Sequence, residues 1–114
     1  MKEQSTAILL RIYIGERDKH KGQSLYEYLV HYLKVYGFAG VTVLRGIEGF
    51  GHKSKIHTAN ILELSTDLPI ILEIVDIQEK IDELKHTLED LDTEGKVGVL
   101  ITEEPVKVIK YGKA

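Results

Sequence analysis

The apolar residues of this chain change spacing in the same way twice, from every second residue to helical spacing and back, and that recurrence narrows the fold more than any other feature. In AILLRIYI, residues 7–14, Ile8, Leu10, Ile12 and Ile14 fall on one face of a strand, with Leu9, Arg11 and Tyr13 on the other. The charged stretch GERDKHKG, bounded by Gly15 and Gly22, then predicts a solvated turn. Leu25, Leu29, Tyr32, Leu33 and Tyr36 follow at helical spacing, with Ser24 and Glu27 as a capping-box start and Gly37 as the stop. A second strand is predicted from about Gly40 to Arg45, carrying β-branched Val41, Thr42 and Val43.

The second half repeats the order. The ILEL run and PIILEIV (69–75) read as extended pieces around the turn signal Ser65, Thr66, Asp67. Asp76 and Glu79 repeat the capping pattern, and Ile77, Ile81, Leu84, Leu88 and Leu91 form a second amphipathic helix ending near Gly95. KVGVLIT (96–102) and VKVIKY (106–111) read as two strands around a turn at Glu103, Glu104 and Pro105. The expected fold is α+β, a ferredoxin-like βαββαβ sandwich with an antiparallel sheet, two helices on one face, and a further C-terminal strand. At 114 residues, one domain spanning 1–114 is expected.

Right-handed crossovers then place the loops. Segments 15–23, 45–58 and 92–96 should converge on one edge of the sheet. Two helices cover only one face, so the other, with Leu9, Tyr13, Ile71 and Val75 beside Arg11 and Glu73, is too apolar for open water. A homo-oligomer packed through that face is the expectation.

Charge excludes some classes of function. The net charge of −3 argues against a general nucleic-acid binder, and PIILEIV lacks the stacking aromatics that an RNA-recognition sheet needs. The absence of cysteine rules out disulfides and thiolate metal sites, and the lack of a long uncharged apolar run makes a cytoplasmic location the expectation. Locally the balance reverses. From Asp76 to Glu94 there are eight acids and two lysines, whereas LRGIEGFGHKSKIHT, residues 44–58, sets Arg45, Lys53 and Lys55 against Glu48 alone.

That loop is the candidate site. Its glycines, Gly46, Gly49 and Gly51, lie in the reverse spacing of a dinucleotide fingerprint, and a phosphate P-loop fails because His52 follows Gly51 and no helical pattern follows Lys53. What remains is a cationic, glycine-rich segment able to offer amides to an anion, or else a hairpin tip without a ligand. His52 and His57, with Glu48 as a third group, form an alternative metal set, although no familiar zinc spacing supports it. No arrangement of nucleophile, base or paired carboxylates requires an enzyme, because Glu103 and Glu104 are adjacent on extended chain and face opposite ways.

The ordered set IYIGERDKHKG, LRGIEGFG, IHTA and DLPIILEIVD, with Gly95 and Lys96 before a hydrophobic strand, resembles the PII-like signalling proteins, and specifically domain-of-unknown-function family 190. The likeness runs from about Leu9 to Tyr111. It implies a homotrimer with effector sites in the clefts between subunits, and a long loop that reports ligand state to a partner. The implied effectors are adenine nucleotides, ATP, ADP or AMP, or a cyclic nucleotide. Gly49, Phe50 and Gly51 match the base of the long loop, Gly95 and Lys96 the end of a glycine-lysine turn, and Lys107 and Lys110 approximate the basic residues near the C-terminus. Arg45 and Lys53 join this set from the charge pattern. Association of the family with fluoride-exporting channel genes implies a channel or transporter partner. The sequence departs from the PII pattern in having no tyrosine in the long loop for covalent modification. The alternatives are a metal-binding trimer similar to divalent-cation tolerance proteins, and a purely structural interaction module.

Overall fold

A computed structural model describes residues 2–49, 57–58, 68–91 and 98–112. In chain order the elements are β1 (Lys2–Gly15), β2 (Lys19–His20), β3 (Gln23–Ser24), α1 (Leu25–Val35), β4 (Thr42–Arg45), β5 (Glu48–Gly49), β6 (His57–Thr58), β7 (Pro69–Asp76), α2 (Gln78–Leu91) and β8 (Leu100–Tyr111). The main sheet has the order β4-β7-β1-β8, with every neighbouring pair antiparallel. This is the ferredoxin-like arrangement expected from the recurrence of strand, helix and strand.

One face of the sheet and one stripe of each helix make the core. Leu10, Ile12 and Ile14 of β1 and Ile70, Leu72 and Ile74 of β7 are buried against Leu25, Leu29 and Leu33 of α1 and Ile81, Leu84 and Leu88 of α2. Alternation puts the remaining residues of the same strands on the other face. Ile77, expected in the second helix stripe, instead precedes α2 and is exposed.

The capping box expected at the start of α1 does not form. Ser24 stands at the start of α1 without a side-chain capping bond, and the Leu25 amide donates to the Asp18 carbonyl at 2.8 Å. Asp76 accepts from the amides of Ile77 (2.8 Å) and Ala39 (2.9 Å), tying the entry of α2 to the segment that follows α1. At the other end of α1 the glycine stop is present. Gly37 has φ 76°, the Phe38 amide reaches Leu33 O at 3.0 Å, and the Gly37 amide reaches Lys34 O at 3.3 Å, the paired bonds of a Schellman motif.

The C-terminal half of the sheet corrects the sequence reading. The two strands expected around Glu103, Glu104 and Pro105 are one, β8, whose register runs unbroken from Leu100 opposite Tyr13 to Tyr111 opposite Lys2. Pro105 is tolerated because β8 is an edge strand, where a missing amide can face away from the ladder. The two glutamates do point to opposite faces. Glu103 pairs with Lys85 of α2 on the helix side, and Glu104 pairs with Arg11 at 3.1 Å on the other.

The uncovered face is as expected and larger. Leu44 of β4 stands opposite Ile71, and Leu100 of β8 opposite Tyr13, so both join Leu9, Tyr13, Ile71 and Val75; Val106 and Val108 extend the same face. In its middle Arg11 donates to Glu73 at 2.9 Å as well as to Glu104. These two carboxylates, Glu73 first, hold the Arg11 guanidinium above its ordinary pKa. Among the described residues no helix is long and apolar enough to cross a membrane.

Candidate functional site

The loop edge is built from backbone first. Gly15 ends β1 opposite Pro69, which begins β7, and Arg45 ends β4 opposite Ile70. Two further bonds carry the ladder past the strand ends: the Glu16 amide donates to Leu68 O at 2.8 Å, and the Gly46 amide to Pro69 O at 2.7 Å. The segments after β1 and β4 are therefore anchored to the two sides of one short stretch, Leu68–Pro69. Beyond Gly46, Glu48 pairs with Thr58 and Gly49 with His57, so the long loop rises from a two-stranded stem.

Glycine has a steric role in that stem. A Cβ at Gly46 would lie 2.8 Å from Pro69 Cγ, and one at Gly49 3.0 Å from the same atom. Both positions let the stem close onto the proline ring.

The segment after β1 is more ordered than a solvated turn. Lys19–His20 and Gln23–Ser24 form a hairpin with Lys21 (φ 51°) and Gly22 (φ 83°) at its tip, both left-handed as a tight hairpin turn requires. Asp18 is buried, 6% exposed, and accepts from the Gly15 amide at 2.8 Å while its carbonyl holds the start of α1. Glu16 turns the other way. Its Oε2 lies 2.6 Å from Arg45 Nη2, joining the first loop to the base of the long one.

The pair is not fully satisfied. The Glu16 side chain is 20% exposed and that of Arg45 54%. Glu16 Oε1 is buried without a hydrogen-bond partner among the described residues. A partly exposed ion pair contributes about 0–1 kcal/mol, and a buried unpaired acceptor costs about 1–3 kcal/mol. The two effects meet at about 1 kcal/mol, so the net hold on Arg45 is weak. On the same face of β4, Val43 contributes with Tyr26 and Val30 to a shallow groove of about 350 Å³ along α1, rimmed by Glu27, His31 and Lys34.

Of the sequence-predicted residues, Arg45 and Gly49 lie together at this edge. Phe50, Gly51, His52, Lys53, Gly95 and Lys96 lie outside the described residues, as does the ILEL run, and His57 is described in its backbone alone. Residues 92–96 lie outside the described residues; the strand that follows them begins at the same edge, with Leu100 of β8 opposite Tyr13, two residues before Gly15. Lys107 does not join the others within one chain. It stands opposite Thr6, nine residues down β1 from Gly15, about 30 Å at strand spacing. Among the described residues no group of three or more His, Asp or Glu side chains converges to hold a metal.

Sequence reasoning missed Glu16, Asp18 and Pro69. Charged residues between two glycines read as solvated, and only the register that sets Gly15 against Pro69 reveals that this stretch faces the long loop.

Residues 7–108 match the model of DUF190, described as Uncharacterized ACR. The chain belongs to the DUF190 family. A UPF0166 protein of Aquifex aeolicus (strain VF5) is 40% identical over 101 residues, covering 89% of this chain and 91% of the relative. Two solved structures from Thiomonas intermedia K12 share the fold of this DUF190 chain. CPII bound to ADP and bicarbonate has a TM-score of 0.67 at 15% identity, covering 93% of this chain and 91% of that one. CPII described as a nitrogen regulatory PII-like protein, bound to ADP, AMP and bicarbonate, has a TM-score of 0.67 at 12% identity, with 93% and 98% covered. The fold of this DUF190 protein is that of the PII-like proteins.

Proposed function

We propose that this chain is a non-enzymatic PII-like regulator, a single domain that assembles as a homotrimer, binds an adenine nucleotide in clefts between subunits, and reports to a partner through the 45–58 loop. The observation that carries this reading is the anchoring of two loop bases, at Glu16 and Gly46, to Leu68–Pro69 on one edge of the sheet, with Arg45 between them. A ligand meeting Arg45 meets the stem of the long loop, so its arrival can alter what the loop presents. The ADP and AMP in the CPII structures support the choice of ligand class.

In this reading Arg45, Gly49, Phe50, Gly51, Lys53, Gly95 and Lys96 supply the anion-facing part of the site. Lys107, placed at the far end of β1, is contributed by a neighbouring subunit. The large apolar face gives the trimer its contact, and a channel or transporter is the proposed partner in the cytoplasm.

Isothermal titration with ATP, ADP, AMP and cyclic nucleotides tests the proposal. Binding of at least one, weakened about 1.5 to 3 kcal/mol by Lys96→Ala, is the expected result for a charge-assisted hydrogen bond. A folded trimer that takes none of them would refute it.

A further inference from the structure

We propose that Glu16 sets the affinity of the loop-base site by occupying Arg45 until an anionic effector displaces it. This rests on the reading above, that a nucleotide phosphate approaches this edge. Three features meet at the pair. Glu16 Oε2 lies 2.6 Å from Arg45 Nη2, so the charge of the guanidinium is already met. The other oxygen, Oε1, is buried without a hydrogen-bond partner among the described residues, so the closed pair carries the desolvation of a stranded acceptor. The backbone on each side is independently pinned, Glu16 to Leu68 and Gly46 to Pro69. The two side chains can part without either strand moving.

The closed arrangement therefore sets one ionic contact against one stranded oxygen, opposing effects of similar size. In the open arrangement the carboxylate regains water and the guanidinium is free for a ligand. An anion binds Arg45 only in the open arrangement, so its apparent affinity is the intrinsic affinity scaled by the open fraction. The ligand class follows from the competition. A polyphosphate brings more charge than one carboxylate and matches the planar fork of arginine, whereas a neutral molecule gains nothing by displacing Glu16.

The test compares wild type, Glu16→Gln, Arg45→Gln and the double variant, each titrated calorimetrically with ADP and separately with inorganic pyrophosphate, their folding checked by circular dichroism. Glu16→Ala replaces the glutamine variant should that one fold poorly. Glu16→Gln is expected to bind both probes about 2-fold more tightly, the gain that an open fraction near one half allows. Arg45→Gln should bind more weakly than wild type, and the double variant no more tightly than Arg45→Gln. Equal or weaker binding by Glu16→Gln, or a gain that persists without Arg45, overturns the proposal. The two readings separate cleanly. If ADP binds no variant while pyrophosphate prefers Glu16→Gln, the nucleotide reading falls and the role of Glu16 stands; if ADP binds all variants alike, the reverse holds. Binding of neither probe to any variant removes both.

Discussion

Gly46 and Pro69 are held together by backbone and leave no room for a side chain: the Gly46 amide donates to the proline carbonyl at 2.7 Å, and a Cβ at 46 would lie 2.8 Å from the ring. A proline ring cannot swing aside as a lysine can. Gly46→Ala should therefore cost about 1–3 kcal/mol through local overpacking, read as a lower urea midpoint. Gly40→Ala is the control, since nothing lies within 4 Å of a Cβ there. Equal midpoints for the two variants would contradict the steric role.

The exit of α1 offers a second backbone test. Gly37, at φ 76°, places the Phe38 amide on Leu33 O. Gly37→Ala should destabilise by about 1 kcal/mol and Gly37→Asn by less, because asparagine tolerates the left-handed region better. Chemical denaturation of the two variants ranks them; the opposite order would argue against the motif.

Elements that follow one rule over many residues were legible from the sequence, and those set by two distant segments were not. The alternation in 7–14 and 69–75 correctly separated Leu10, Ile12, Leu72 and Ile74 from Leu9, Tyr13, Ile71 and Val75, because a strand buried on one face must alternate. Pro105 misled, since two glutamates and a proline resemble a turn unless the strand is known to be an edge. Ser24 misled for a different reason. Its side chain makes no capping bond, while the Leu25 amide is met by the Asp18 carbonyl, and nothing local to Ser24 signals that the hairpin brings Asp18 there. At the candidate site, Arg45 and Gly49 were legible as a charge and a glycine in one loop. Glu16 was not, because its meaning depends on a partner 29 positions later in the sequence.

The pairing of Lys85 with Glu103 predicts a behaviour at alkaline pH. The hydrogen bond that Lys85 donates to the Glu103 carboxylate is the largest of the effects that raise the Lys85 pKa above its ordinary value of 10.5. A lysine whose folded pKa is raised adds stability that is fully present below the unfolded pKa and is lost as pH rises through the folded one. The stability difference between wild type and Lys85→Met should thus be constant from pH 7 to about 9 and shrink above about 10.5, the ordinary lysine value. The pair is one-third exposed, so the difference itself should be small. Denaturation midpoints measured at several pH values decide this, and a difference that grows with alkalinity would be the wrong sign.

The Arg11 cluster on the uncovered face makes the last prediction, about assembly. Arg11 neutralises one of two carboxylates that flank it across three strands, and a guanidinium stays charged at any working pH. Removing it by Arg11→Gln leaves Glu73 and Glu104 as like charges in the middle of Leu9, Tyr13, Ile71 and Leu100. If this face forms the proposed trimer contact, burial of those two charges opposes association strongly, while the isolated subunit can still solvate them. Wild type should sediment as a trimer at micromolar concentration and Arg11→Gln as a smaller species, with higher salt recovering part of the loss by screening. Adding Glu73→Gln and Glu104→Gln to Arg11→Gln should restore assembly without any ion pair, because it is the unpaired charge that opposes burial. A wild-type protein that is a folded monomer under these conditions would remove the sheet face from the interface, and an Arg11→Gln trimer as stable as wild type would place the contact elsewhere.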